Sequence, residues 1–343
     1  MSKFSITVLV CVLMLSSKKP FSQSPETALT KALNKEKVEE SIVFIAGFDE
    51  GENTYYTNAK RYFENRAIPI VDSLYALDEI INYLNTMREN QVSFKEIHVV
   101  SHSNAWLGMS LKITNKGERI TTKTLQNAIR SNSFKPAERS IAKDSKIIFH
   151  ACGLGENKEL LQELKNTFGA KQVYASTYFN VFGGKFADHY LAKPYYGYYP
   201  TAESKGPAHL AEEFKQKYPD VAIDWFTALQ TRQESSFGEA FSFKFNIPVD
   251  WEFTFDNTID MPKLENKEAI MDWISESPEM AEVLLKLNIP IEKFRWISAI
   301  QGNTLLIKGK TTVLCVLAPI LQSNDGNEYQ KVTVNNPSLY QIL

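Results

Sequence analysis

The first half of the chain alternates between short, fully apolar runs and longer amphipathic stretches. The apolar runs end in polar or glycine residues, and each later stretch repeats its apolar positions with helical periodicity. Strands that alternate with helices predict a largely parallel sheet covered by helices on both faces, an α/β fold. The strands are predicted at 41–49, 67–73 and 171–176 and within 96–103 and 146–155, where 146–155 also includes a glycine-rich turn; the helices are predicted at 53–66, 76–90, 120–129 and 159–169.

The pattern becomes weaker after residue 177. Residues 179–201 are rich in aromatic residues and glycine, and predict either a loop that borders a ligand cleft or a packed surface loop. The alternating stretch within 237–255 predicts edge strands of a second layer. Residues 260–287 predict two short helices, and residues 303–319 predict a hairpin that turns at 308–310.

The amino terminus has the pattern of a removable signal. A basic start is followed by the apolar run 4–15, which is too short to span a bilayer, and then by small and polar residues. Lys18 and Lys19 are atypical of such a signal, and an uncleaved, membrane-tethered start is the alternative. We predict an exported protein, secreted or periplasmic, with no stable membrane insertion after signal removal. The predicted segments are a signal peptide at 1–23, a linker or short helix at 24–40, an α/β domain at 41–220, and a C-terminal α+β extension or small second domain at 221–343.

Charge and cysteine content exclude several classes of function. The net charge is −2, and removal of residues 1–23 with their three lysines and no acids makes it −5, so no nucleic-acid partner is predicted. The mature chain keeps Cys152 and Cys315. The apolar stretch around Cys315 predicts that this cysteine is buried on a strand. A disulfide to Cys152 is the alternative. No cysteine or histidine spacing fits a zinc site, so neither a metal nor a cofactor is predicted.

Two of the predicted strands end in residues that suit covalent catalysis. Cys152 follows the strand in 146–155, ahead of a helix whose dipole favours a thiolate. A lone cysteine there is more often a small packed residue. His102 changes that balance, because it ends another strand 50 residues earlier and would supply the base that a cysteine nucleophile needs.

The order and spacing of these motifs resemble the caspase-like, clan CD fold of cysteine peptidases. They are especially similar to a bacterial branch found in large secreted and surface proteins. The resemblance implies a caspase-like three-layer α/β/α sandwich with a mostly parallel sheet, and a peptide or protein substrate. In one departure, Ser103 follows the histidine where the family usually has a glycine that helps to shape the oxyanion hole. The motifs are VVSHSNAWLGMSLKI (99–113), ITTKTLQNAI (120–129), IIFHACGLG (147–155), ELLQELKNTFG (159–169) and VYAST (173–177), within about residues 41–184.

This hypothesis assigns roles to individual residues. Cys152 attacks a peptide carbonyl, and His102 acts as general base and then protonates the leaving amine. Backbone N–H groups of Cys152 and Gly153 hold the oxyanion. Asp49 and Glu50 follow the first strand and would attract an arginine or lysine side chain of the substrate, with solvated loop acids as the alternative.

Three alternatives stay open. His150 points to the same face as Cys152 by strand alternation and competes with His102 as the base, although a packed strand histidine is favoured. In an α/β-hydrolase, Ser103 would be the nucleophile of an esterase-like or lipase-like elbow, but the elbow glycines are replaced by Ser101 and Ala105. In the third, the domain is an inactive, caspase-like binding module.

Overall fold

The computed structural model describes residues 37–49, 53–137, 145–199, 206–323 and 327–343. Over these ranges the protein is a mixed α/β structure with a largely parallel sheet, an antiparallel sheet and eight α-helices. The predicted α/β class is therefore confirmed. The predicted signal peptide lies outside the described residues, as does most of the predicted linker. Across the described ranges, no helix is long and apolar enough to cross a membrane.

The helices and strands of the first half lie close to their predicted positions. The strands are β1 (Lys37–Ala46), β2 (Ile70–Leu74), β3 (Val92–Val100), β4 (Ser103–Asn104), β5 (Gly108–Met109), β6 (Lys146–His150), β7 (Gln172–Ser176), β8 (Phe179–Phe182), β9 (His189–Tyr198), β10 (Phe241–Thr254), β11 (Arg295–Gln301), β12 (Thr304–Pro319) and β13 (Tyr340–Ile342). The helices are α1 (Thr54–Glu64), α2 (Leu77–Glu89), α3 (Thr122–Arg130), α4 (Lys158–Phe168), α5 (Pro207–Lys217), α6 (Trp225–Gln230), α7 (Lys267–Glu276) and α8 (Pro278–Leu287).

The first sheet has the strand order β13-β7-β6-β3-β1-β2, and every neighbouring pair is parallel except β13 with β7. Apolar clusters lie on both of its faces, which is why β1, β3 and β6 each contain consecutive apolar residues. Side chains alternate along β1: Phe44 packs in the cluster that contains α2, α3 and α4, whereas Val43 and Ile45 pack against Phe63 of α1.

The second sheet is antiparallel, with the order β10-β12-β9-β8. β10 pairs along one edge of β12, while β11 and β9 share the other edge. The predicted edge position of residues 237–255 is therefore confirmed, although one long strand forms where several were expected. Within 179–201, predicted to be a loop, residues 179–198 form the β8–β9 hairpin, which turns at Gly183, where the backbone is left-handed with φ 71°.

The predicted hairpin within 303–319 is wrong, since these residues form the single strand β12. Gly309 is not a turn residue. An added Cβ there would lie 2.2 Å from the Trp296 ring, so the glycine lets the indole of the adjacent strand pack closely. The turn lies earlier, at Gly302, where φ is 62° between β11 and β12. A close approach between strands and a turn both select glycine, and the sequence does not distinguish them.

The two sheets exchange chain segments. The second sheet takes β8 and β9 from before residue 220 and β10 to β12 from after it, and β13 returns to pair with β7 of the first sheet. Two short helices, α7 and α8, occupy the region predicted to contain them. The division at residues 220 and 221 stays a prediction.

Candidate functional site

A cleft of about 600 Å³ lies between the carboxyl edge of the first sheet and the inner face of the second. Its polar side is formed by residues that follow β1, β3 and β6 and by the first turn of α1. Its apolar side is formed by β8, β10 and one residue of β12, Leu317. Open α/β sheets bind ligands at the carboxyl ends of their strands, so this cleft is the candidate functional site.

The strand register places His102 and Cys152 at equivalent positions of neighbouring strand ends. β3 and β6 are parallel with Val100 opposite His150, and the Ser101 N–H donates to the His150 carbonyl at 3.3 Å. Both residues lie two positions beyond that pair, and both line the cleft. Neighbouring strands run about 4.8 Å apart, so the fold brings these side chains to the same part of the sheet edge.

Glycines shape the turn that follows Cys152. Gly153 is left-handed with φ 67°, and an added Cβ at Gly155 would lie 2.4 Å from the Ala175 carbonyl oxygen, so the turn approaches β7 closely. The N–H of Gly153, predicted to hold an oxyanion, donates to the Tyr178 carbonyl at 3.2 Å. The Cys152 N–H is the other backbone donor predicted there.

The Cys152 thiol lies in an apolar environment. The residue is 6% exposed and packs with Phe179, Phe241 and Leu317, and its Sγ lies 3.9 Å from the Asn180 carbonyl oxygen. Burial raises the pKa of the thiol to about 12. The expected stabilisation of the thiolate by the helix dipole does not prevail. α4 begins only at Lys158, and a dipole acts over little more than one turn.

His102 is held by the first turn of α1. Its ring stacks on Tyr55 with centroids 4.3 Å apart, and its backbone N–H donates to the Tyr56 hydroxyl at 3.0 Å. The Nε2 atom lies 2.9 Å from Asn53 Nδ2, and Asn53 Oδ1 already accepts the Tyr55 N–H as the helix N-cap. The amide nitrogen therefore donates to Nε2, and the proton of the neutral imidazole lies on Nδ1.

The charged residues of the cleft act on this histidine. Burial lowers the pKa of His102; the Asp49 carboxylate opposes this shift and the Arg119 guanidinium adds to it. Asp49 accepts a hydrogen bond from the Tyr56 hydroxyl at 2.8 Å. Glu50, predicted with Asp49 to bind substrate, lies outside the described residues.

Arg119 is a cleft residue that the sequence analysis missed. Its Nε donates to the Met109 carbonyl at 2.8 Å and its Nη2 to the Ser110 hydroxyl at 2.7 Å, so the hairpin after His102 fixes the guanidinium. No sequence motif marks Arg119. Asn53 did carry a signal, since an asparagine ahead of a helical pattern predicts an N-cap. The hydrogen bond from Asn53 to His102 had no signal in the sequence.

The two competing candidates occupy different surroundings. Ser103 is 7% exposed and lies in the β4–β5 hairpin, with the next helix starting only at Thr122. His150 is buried, and its Nε2 lies 3.0 Å from His98 Nδ1, which confirms the prediction of a packed strand histidine. His189 lies beside His150 with ring centroids 5.7 Å apart.

Both cysteines of the described chain are free. Cys315 is buried on β12 in the same apolar cluster as Cys152, so the prediction of a buried strand residue is confirmed. Within the described ranges, no three His, Cys, Asp or Glu side chains are arranged to hold a metal ion.

Comparison of the chain with protein-family models, curated proteins and solved structures finds no match. The functional argument therefore depends on the geometry of the cleft and on the sequence motifs.

Proposed function

We propose that this protein is an exported, caspase-like cysteine peptidase in which His102 and Cys152 form the catalytic dyad. The observation that carries the proposal is the alignment of these two residues beyond the Val100–His150 pair of adjacent parallel strands, on one cleft. Helices on both faces of a mostly parallel sheet support the caspase-like sandwich. The role of residues 221–343 as an extension is supported by β10 and β12, which lie in one sheet with β8 and β9 and contribute residues that line the cleft.

His102 transfers a proton in each half of the proposed reaction. Cys152 Sγ attacks the carbonyl carbon of the substrate as its proton passes to His102, and the C–N bond then breaks as His102 returns that proton to the leaving amine. Water, deprotonated by His102, hydrolyses the thioester to a free acid and restores the thiol. Since the pKa of Cys152 is raised and that of His102 is lowered, both groups start neutral, and proton transfer accompanies attack.

The aromatic side of the cleft favours an extended peptide with at least one apolar side chain. Phe179, Phe243 and Phe245 line it opposite the dyad. On the polar side, Asp49 is exposed and would attract a cationic side chain, as the sequence suggests. Arg119 adds a positive charge on the same side.

Turnover of fluorogenic peptides that vary in the residue before the cleaved bond tests the proposal. We expect Cys152→Ala to reduce cleavage to background and His102→Ala to lower the rate by about 10²–10⁴-fold, the usual contribution of a general base. Cys315→Ala is the matched control, because that thiol lies in the same cluster but does not line the cleft. Equal loss in the control, or cleavage by Cys152→Ala at the wild-type rate, refutes the peptidase.

Two other functions have outcomes of their own. An esterase with Ser103 as nucleophile predicts that Ser103→Ala abolishes ester hydrolysis while Cys152→Ala retains it. The hairpin after Ser103 disfavours this function, because an elbow serine is followed at once by a helix. The raised pKa of Cys152 favours an inactive binding module, which would retain intact peptides in the cleft.

A further inference from the structure

The first turn of α1 lies against the two strand ends that carry the dyad. The Tyr55 ring stacks on His102, and its hydroxyl donates to the His150 carbonyl at 2.8 Å, two residues before Cys152. The pKa of Tyr55 is raised well above its ordinary value, first by burial and then by the neighbouring Cys152 thiol. One side chain of α1 therefore lies against the base and close to the nucleophile.

Asn53 completes this arrangement. Its amide nitrogen donates to Nε2, which carries the lone pair of the neutral imidazole, and the proton on Nδ1 leaves that nitrogen unable to accept another. His102 thus has no nitrogen free to take the thiol proton. The Cys152 thiol is directed at the Asn180 carbonyl instead.

We propose that Asn53 and Tyr55 form an inhibitory latch, which holds the cleft in a resting state and must move before His102 can accept the Cys152 proton. The latch rests on the proposed dyad and names the regulation of that site. Moving the turn breaks three contacts: the Asn53–His102 bond, the Tyr55–His102 stack and the Tyr55–His150 bond. The same turn both caps α1 and holds His102, so its order is coupled to the resting state.

Alkylation of Cys152 in the full chain, followed by peptide mass spectrometry across pH 6 to 10, tests the latch without requiring peptide cleavage. In the wild type we expect slow labelling at neutral pH. Tyr55→Ala should label about tenfold faster or more at pH 8, since each unit by which the thiol pKa falls multiplies the thiolate fraction about tenfold. Tyr55→Phe keeps the stack, loses the bond to His150, and should fall between the two.

Tyr62→Ala is the matched control. Tyr62 lies on the same helix, but its ring contacts Phe182 and His189 and does not line the cleft. It should label at the wild-type rate. Cys315 in each sample reports general loosening, because that thiol should stay unlabelled in every variant.

Asn53→Asp tests the hydrogen bond while it preserves the cap. A carboxylate still accepts the Tyr55 N–H, and it also accepts from Nε2–H, so the imidazole proton should move from Nδ1 to Nε2. Nitrogen-15 NMR of His102 identifies the protonated nitrogen in the wild type and in the variant.

Each outcome separates the latch from the function. Fast labelling of wild-type Cys152 below pH 8, equal rates in Tyr55→Ala and Tyr62→Ala, or a wild-type proton on Nε2 overturns the latch. If Tyr55→Ala disturbs folding, the labelling rate of Tyr55→Phe decides in its place. Faster labelling in the latch variants without any peptide cleavage supports the latch and refutes the peptidase.

Discussion

Helix α1 contacts His102 near its first turn and a cluster of three histidines near its last turn. The two sites differ in solvent exposure and in hydrogen bonding. His102, near the first turn, is half-buried on an open cleft, and its Nε2 is held by an asparagine. The histidine cluster, formed by the buried His98 and His150 and the part-buried His189, lies near the last turn against Phe63 and Phe182. Residues of one type thus serve a reactive surface at one end of a helix and packing at the other.

The cluster stays neutral because burial disfavours the charged form of each histidine. Burial lowers the pKa of His98 to about 4 and that of His189 to about 3, and it lowers the pKa of His150 well below its ordinary value. His98 Nε2 and His150 Nδ1 are buried without hydrogen-bond partners. What separates the two groups is the surrounding side chains, which neither strand pattern nor spacing reveals.

The largest expected effect comes from removing the aromatic ring that packs on the cluster. Phe63 is 1% exposed, with its ring centroid 5.2 Å from that of His98 and 5.4 Å from that of His150. We expect Phe63→Ala to lower the free energy of unfolding by about 3–5 kcal/mol, measured by urea denaturation. Phe186→Ala, at a ring that is 39% exposed, is the control and should cost under about 1 kcal/mol. Similar losses in both variants would mean that the cluster is not packed as described.

Lowering the pH should reduce the free energy of unfolding through the histidine cluster. The folded-state pKa of His98 lies below the unfolded value of 6.5, so its stabilisation is present above pH 6.5 and is lost as pH falls toward about 4. At about 1.4 kcal/mol per pKa unit, His98 alone accounts for about 3 kcal/mol. The Glu96 carboxylate, 3.8 Å from His98 Nε2, favours protonated His98 and opposes part of this loss. The Arg66 guanidinium acts on His189 instead, where it lowers the pKa and so disfavours protonation of the cluster.

Urea denaturation at pH 7, 6, 5 and 4 measures this dependence. Replacing His98 with glutamine should flatten the curve, while His209→Gln, at an exposed histidine of α5, should leave its slope unchanged. Parallel curves for the wild type and His98→Gln would show that the cluster is not buried in its neutral form.

The smallest effect concerns the cap that joins α1 to His102. Asn53→Ala removes an N-cap and should cost about 1 kcal/mol of unfolding free energy, a usual value for this change. Asn157→Ala is a close match, because Asn157 caps α4 through the Leu160 N–H at 2.9 Å and does not line the cleft. Both should lower stability alike in thermal denaturation, but only Asn53→Ala should alter the nitrogen-15 spectrum of His102. An unchanged spectrum would exclude the Asn53–His102 bond.

Much of the first sheet could be predicted from the sequence because its signals are local. Each buried strand contains a short apolar run, and each covering helix repeats its apolar positions with helical periodicity. The second sheet was harder to predict. β12 contains a glycine that serves packing against Trp296, and β9 pairs with β12, more than one hundred residues away, so the composition of residues 179–201 resembled a loop.

The candidate site divides along similar lines. His102 and Cys152 could be selected because each ends an apolar run, and parallel strands present their carboxyl ends at one edge. Asn53, Tyr55 and Arg119 could not be selected, since their relation to His102 depends on how α1 and the β4–β5 hairpin fold over the sheet edge.

The sequence by itself determined the class of the fold, the strand ends that carry the candidate dyad and the burial of Cys315. The tertiary structure alone decided which histidines are buried, which nitrogen of His102 carries its proton, and how far the pKa of Cys152 is raised. Periodicity reports only whether a position faces the core. Protonation and reactivity depend on the atoms within a few ångströms, and here those atoms come from α1, β8 and β10, which lie far from Cys152 in the sequence.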